Sequence, residues 1–136
     1  MQRRRFLHRL GFALGTGLFG AATSTAAAAT TRLPAREHLL QRSPLAGFQF
    51  YAGEQVWSQL GEGDPLRLRR EAGNRFDQQA VAVYWRDQQL GYVARSDNTA
   101  ISQLLDRGQH CHARIARLSQ HHNPWARIEL AIFLND

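Results

Sequence analysis

The sequence predicts a mainly β fold, a small six-stranded barrel with one or two packed α-helices, and three observations carry that expectation. Short apolar or alternating runs follow one another from residue 46 onward, each bounded by Gly, Asp, Asn or Pro, as half-buried strands joined by turns do. Only one good stretch, after Ser96, has helical spacing. Finally, about six strands and one helix in roughly ninety residues bury their apolar faces by closing, fully or partly, into an OB or SH3-like barrel with the helix packed on it.

In chain order, residues 30–45 are polar and punctuated by Pro34 and Pro44, and read as a linker with a short helix at 35–42. Residues 48–51 are a strand, and 56–60 are a second strand or the flank of a turn. Gly61 to Pro65 is a turn by composition. Residues 66–69 alternate, which sends Leu66 and Leu68 to the core and Arg67 and Arg69 outward. A loop at 71–77 leads to the most strand-like run, 80–85, and Asp87 and Gln88 turn it back into a strand at 89–93. Ser96 and Asp97 cap a helix whose Ala100, Ile101, Leu104 and Leu105 form one stripe, and Gly108 ends it. Strands at 112–118 and 127–134, around a turn at 120–124, complete the chain, which contains no internal repeat.

Residues 1–29 read as a signal peptide: a basic start, an apolar run from about Phe12 to Ala22, and small residues from Thr25 to Ala29 in which several A-x-A cleavage frames fit. Arg3, Arg4, Arg5, Phe6 and Leu7 resemble the twin-arginine export motif, whose pathway carries folded proteins. This predicts export, to the periplasm, with a cytoplasmic location if the start is wrongly assigned. The apolar run falls short of the ~20 residues that span a bilayer, so no stable membrane span is expected. Cys111 stands alone, so no internal disulfide staples the fold.

The chain has 17 basic residues, all Arg, and 11 acidic ones, a formal charge of +6. Arg3, Arg4, Arg5 and Arg9 belong to the signal, which leaves 13 basic residues against 11 acidic and a net of +2. A net of +2 argues against a whole-surface polycation that coats nucleic acid, and any anion site depends on local clustering of guanidinium groups.

The most informative stretch runs from Leu66 through Val83 and continues at 89–95. Its ordered pieces are Arg70 and Glu71, then Asn74, Phe76 and Asp77, then the strand 80–83, then Gly91, Tyr92, Val93 and Arg95, then Leu104 to Gly108. In this the sequence resembles a HIRAN domain, over roughly residues 46–134. The resemblance implies a non-catalytic nucleic-acid-binding module that captures the 3′ end of single-stranded DNA. It implies that Phe50 and Tyr51 stack on bases, that Asn74, Phe76 and Asp77 hold the terminal sugar hydroxyl, and that Arg95 meets phosphate, with Arg70, Arg75 and Tyr92 beside them. Gln49 replaces a base-contacting Arg of such relatives, and Arg75 replaces their usual Pro.

Physical chemistry gives these residues sensible roles. A carboxylate repels a phosphodiester but accepts a hydrogen bond from a 3′-hydroxyl, and stacking on aromatic rings is worth about 1–3 kcal/mol per base without reading sequence. The structural alternative is that Phe50 fills the core and Asp77 caps a turn. His110, Cys111, His112, His121 and His122 suggest a metal, yet neighbours along a strand point to opposite faces, so the three adjacent residues cannot share one ion and only a four-His arrangement across the hairpin remains. Exposed His near a strand end is more often solvated, and no metal site and no cofactor is expected. Trp85 is a core residue, with Trp57 and Trp125 either core or platform, and Arg67, Arg69, Arg70, Arg75 and Arg95 are a candidate phosphate patch. No motif of nucleophilic or metal-assisted catalysis occurs, so no enzyme is expected. Against a DNA ligand stands the export signal, which favours a second reading: an exported module that uses the same barrel for a protein partner or another envelope ligand.

Overall fold

The structure is a computed structural model and describes residues 35–136. The signal-peptide reading of residues 1–29, and the first part of the linker, lie outside the described residues. Six antiparallel strands, β1 (Glu37–Ala46), β2 (Pro65–Arg70), β3 (Val81–Trp85), β4 (Gln88–Val93), β5 (His110–Leu118) and β6 (Ile128–Asn135), close into a barrel. The order around the barrel is β1-β4-β3-β2-β5-β6. Two short helices pack on it, α1 (Gly53–Val56) and α2 (Thr99–Asp106). The predicted fold class is therefore the observed one.

The linker reading of residues 35–45 needs correction, because residues 37–46 are the first strand and not a helix. Glu37 to Leu40 are exposed on both faces, so no alternation marks them. They are held by their backbone ladder with β6, which runs from Glu37 opposite Asn135 to Pro44 opposite Glu129. Leu45 and Ala46 then change partner and pair with Val93 and Tyr92 of β4, two residue pairs that close the barrel.

Residues 48–51 are also not a strand. Gly47, at φ 75°, turns the chain into a 3-10 turn at Phe48–Phe50. That turn drives the Phe48 ring fully into the core and leaves Phe50 78% exposed, so burial of one side chain overrides the strand propensity of three aromatics. Residues 56–60 are the helical flank of the next turn, with Val56 and Leu60 buried.

Leu66 and Leu68 point inward and Arg67 and Arg69 outward, as the alternation requires. Val81, Val83 and Leu90 are fully buried beside Ile115, Leu130 and Ile132, and these side chains fill the barrel. Trp85 is in the core, and its Nε1 donates to Asp64 Oδ2 at 3.1 Å. The β3–β4 turn lies one residue earlier than expected: Trp85 pairs with Gln88, and Arg86 takes a left-handed φ of 52°. The ladder skips a residue at Leu90, where β4 bulges and bends toward β1.

The helix α2 buries Ile101 and Ser102, with Leu105 partly buried, while Ala100 is exposed. Its N-cap residue is Asn98, not Ser96 or Asp97. At the other end Gly108, at φ 77°, donates to Leu105 O and Gln109 donates to Leu104 O, a Schellman stop.

Candidate functional site

The loop between β2 and β3 is shaped by its own polar side chains. Asn74 Oδ1 accepts from the backbone N–H of Phe76 at 2.9 Å and of Asp77 at 3.1 Å, a turn that presents the Phe76 ring outward, 87% exposed. Asn74 Nδ2 donates to Glu71 Oε2 at 3.1 Å, and the Tyr92 hydroxyl donates to the same oxygen at 2.8 Å. Burial holds the Tyr92 phenol far above the usual tyrosine range, with Glu71 and Tyr51 reinforcing the shift, so it stays a donor. The loop is thereby tied to β4.

Asp77 is held from two sides. Its Oδ1 accepts from Gln79 N at 2.9 Å, and its Oδ2 accepts from Asn98 Nδ2 at 2.7 Å. Asn98 is fully buried at the start of α2, so the helix positions the carboxylate from below. The turn-capping reading is thus correct for Asp77, and it leaves each carboxylate oxygen with capacity for one more donor.

These elements meet around a surface pocket of about 380 Å³ lined by Tyr51, Asn74, Phe76, Asp77, Tyr92 and Arg95, with Ala46, Ala80, Val93 and Trp125 completing the wall. Tyr51 and Tyr92 stack edge to face at 5.6 Å between ring centroids. A second, more polar depression of about 490 Å³ adjoins it, sharing Phe76, Asp77 and Arg95 and adding Arg75, Gln78 and Gln79.

Of the nine residues singled out in the sequence, six therefore line one pocket and Arg75 flanks it. Phe50 is exposed beside Tyr51 but does not line the pocket, and it is not core. Arg70 is drawn elsewhere: its guanidinium donates to Ala80 O at 3.2 Å and Gln78 O at 2.7 Å and meets Asp106 at 3.0 Å. Its donors brace the loop, which makes it a scaffold residue and corrects its assignment to the binding surface. The arginine patch divides in the same way, since Arg67 lies over the Tyr84 ring, 5.1 Å from its centroid, away from the pocket.

Trp125 was read only as core or platform, and Glu71 and Asn98 were not assigned to the site. Trp125, 48% exposed, enters from a 3-10 turn at Pro124–Ala126 whose N–H is capped by Asn123 Oδ1 at 3.1 Å. A large aromatic inside a polar turn was its only signal. Glu71 and Asn98 act behind the pocket through Tyr92 and Asp77, each 21 residues away and beyond what spacing reveals.

No helix among the described residues is long and apolar enough to cross a membrane. Among the described residues no group of three or more His, Cys, Asp or Glu side chains is placed to hold a metal ion. His112 instead stacks on Phe133 at 5.4 Å, and His121 on His122 at 4.4 Å. Burial raises the Cys111 thiol above its ordinary range, which disfavours the thiolate.

The pocket lining holds no nucleophile paired with a base, and its aromatic walls and flanking guanidinium groups suit a flat ring and a phosphate. This defines the chain as a small closed barrel with an aromatic-walled surface pocket. The family is settled by the sequence: the model described as HIRAN domain matches residues 39–135, and the chain belongs to that family. Membership supports a nucleic-acid-binding module at the level of the family.

Two solved structures share the fold. A crystal structure of a protein from Lactobacillus plantarum is 25% identical, with a TM-score of 0.67 over 74% of this chain and 97% of that one. The crystal structure of the HIRAN domain of human HLTF is 18% identical, with a TM-score of 0.56 over 69% of this chain and 73% of that one. No curated protein matches the sequence significantly.

Proposed function

We propose that this chain binds single-stranded DNA by its 3′ end, with the terminal nucleotide in the pocket between Tyr51, Phe76 and Tyr92. One observation carries the reading: six residues from three separate segments, chosen from the sequence for this chemistry, line a single pocket. The terminal base stacks on the exposed rings of Tyr51 and Phe76. The terminal hydroxyl donates to Asp77, whose oxygens are fixed by Gln79 and Asn98. Arg75 and Arg95, in the adjoining depression, meet the last phosphodiester. Phe50, exposed on the same turn as Tyr51, adds a stacking face outside the pocket.

The twin-arginine-like residues 1–29 support export of the folded barrel, so the DNA in question is DNA met in the envelope. The exposed Phe50, Phe76 and Trp125 suit a protein or other envelope ligand as well, which is the second reading.

The test is fluorescence anisotropy of a labelled oligonucleotide with the full chain, comparing a 3′-hydroxyl with a 3′-phosphate across a salt series. A free hydroxyl should bind tighter, because a terminal phosphate sets its charge against Asp77. Equal binding of both ends would leave only an arginine surface, and no binding at low salt would refute the reading and leave the envelope ligand.

A further inference from the structure

We propose that the groove beyond Trp125 is a second nucleic-acid subsite, in which Arg42 and Arg117 hold the strand as it leaves the end pocket. The proposal rests on the 3′-end reading above. Trp125 is a wall shared by two depressions, the end pocket and a groove of about 270 Å³ whose other walls include Arg42, Pro44, Arg117, Ala126 and Glu129. A strand whose terminal base sits in the first therefore meets an exposed indole, then two guanidinium groups. That succession of a stacking face and phosphate-binding forks is how a single strand is followed without sequence readout.

The two arginines come from the strands on either side of β6, Arg42 from β1 and Arg117 from β5. Both reach Glu129 of β6, at 3.1 Å and 3.5 Å, one to each carboxylate oxygen. Their side chains are 61% and 66% exposed, so each guanidinium keeps donors facing water. Two cations on one anion leave the groove net positive, and Glu129 occupies in the free protein the position between the forks that a phosphodiester takes in the complex. Glu129 is then a competitor of the strand, which sets a direction for each substitution.

The experiment measures the full chain with a dinucleotide and an eight-nucleotide single strand, both with a free 3′-hydroxyl, across a salt series. The longer strand should bind tighter. The double variant Arg42→Gln with Arg117→Gln should lose about tenfold for the longer strand and about 1.4 from its salt slope, at ~0.7 per phosphate contact, with the dinucleotide unchanged. Glu129→Gln should instead raise affinity for the longer strand several-fold. Unchanged binding of the longer strand in the double variant, or weaker binding in Glu129→Gln, overturns the groove and leaves the end pocket standing. Binding of neither oligonucleotide by the unmodified chain overturns both.

Discussion

Gly91 stands where the barrel closes beside the proposed site, and replacing it with alanine tests whether that closure sustains the pocket. A Cβ built on Gly91 lies 2.2 Å from the carbonyl oxygen of Ala46 and 3.4 Å from Leu45 Cγ, at a φ of 154°. The oxygen is backbone, so no rotamer change relieves the overlap; β1 must move away from β4. Only Leu45 opposite Val93 and Ala46 opposite Tyr92 join those strands. Overpacking of this kind costs about 1–3 kcal/mol, an unfavourable φ for a side chain adds about 1–2 kcal/mol, and loss of a closing backbone bond adds about 1 kcal/mol. Gly91→Ala should therefore lose about 3–6 kcal/mol of a typical 5–15 kcal/mol. In urea, at roughly 1.5 kcal/mol per molar, the midpoint should fall by about 2–4 M. Gly73→Ala is the control, since nothing lies within 4 Å of its added methyl and no positive φ is required. The reasoning is refuted if Gly91→Ala unfolds within about 0.5 M of the unmodified chain, or if Gly73→Ala falls as far.

Asn98→Ala should cost about 1.5–3 kcal/mol, the range for a hydrogen bond to a charged group, in chemical denaturation, and should weaken 3′-hydroxyl binding because Asp77 loses its support from α2. Trp85→Phe deletes the donor to Asp64 while Gly61 N still holds that carboxylate at 2.9 Å, and should cost about 1–2 kcal/mol by urea melting. The Arg114 guanidinium, aided by His112, holds the Glu37 carboxyl below its ordinary value of 4.5. A depressed acid stabilises the fold above its unfolded value and ceases to do so as pH falls through its folded one. Denaturant midpoints below about pH 4.5 should therefore fall less steeply in Glu37→Gln than in the unmodified chain. Replacing Arg75 and Arg95 together by Gln should reduce the salt slope of oligonucleotide binding by about 1.4, at ~0.7 per phosphate, and leave the urea midpoint unchanged, since neither forms an ion pair among the described residues.

The fold class and the existence of strands β2 to β6 were legible in the sequence. Alternation at Leu66 and Leu68, the apolar run at β3 and the glycine stop at Gly108 each follow from local chemistry, and each stands in the structure. The loop at 71–77 and the turn-capping by Asp77 were equally legible, because such turns are made within a few residues, whereas Asn74 and Phe76 entered through the family resemblance. Tertiary structure decided the rest. The strand β1 was hidden because its exposed half is held by backbone pairing with β6, some ninety residues later, which leaves no side-chain pattern. Residues 48–51 carry strand propensity but turn, because the core takes one ring, Phe48, and releases Phe50. Arg70 looked open to phosphate until the fold supplied Gln78, Ala80 and Asp106 as partners, and Trp125 and Asn98 joined the site only through closure of the barrel and packing of α2. Local hydrogen bonds and periodicity are written in consecutive residues, whereas which side of the barrel a distant side chain reaches is set by strand register.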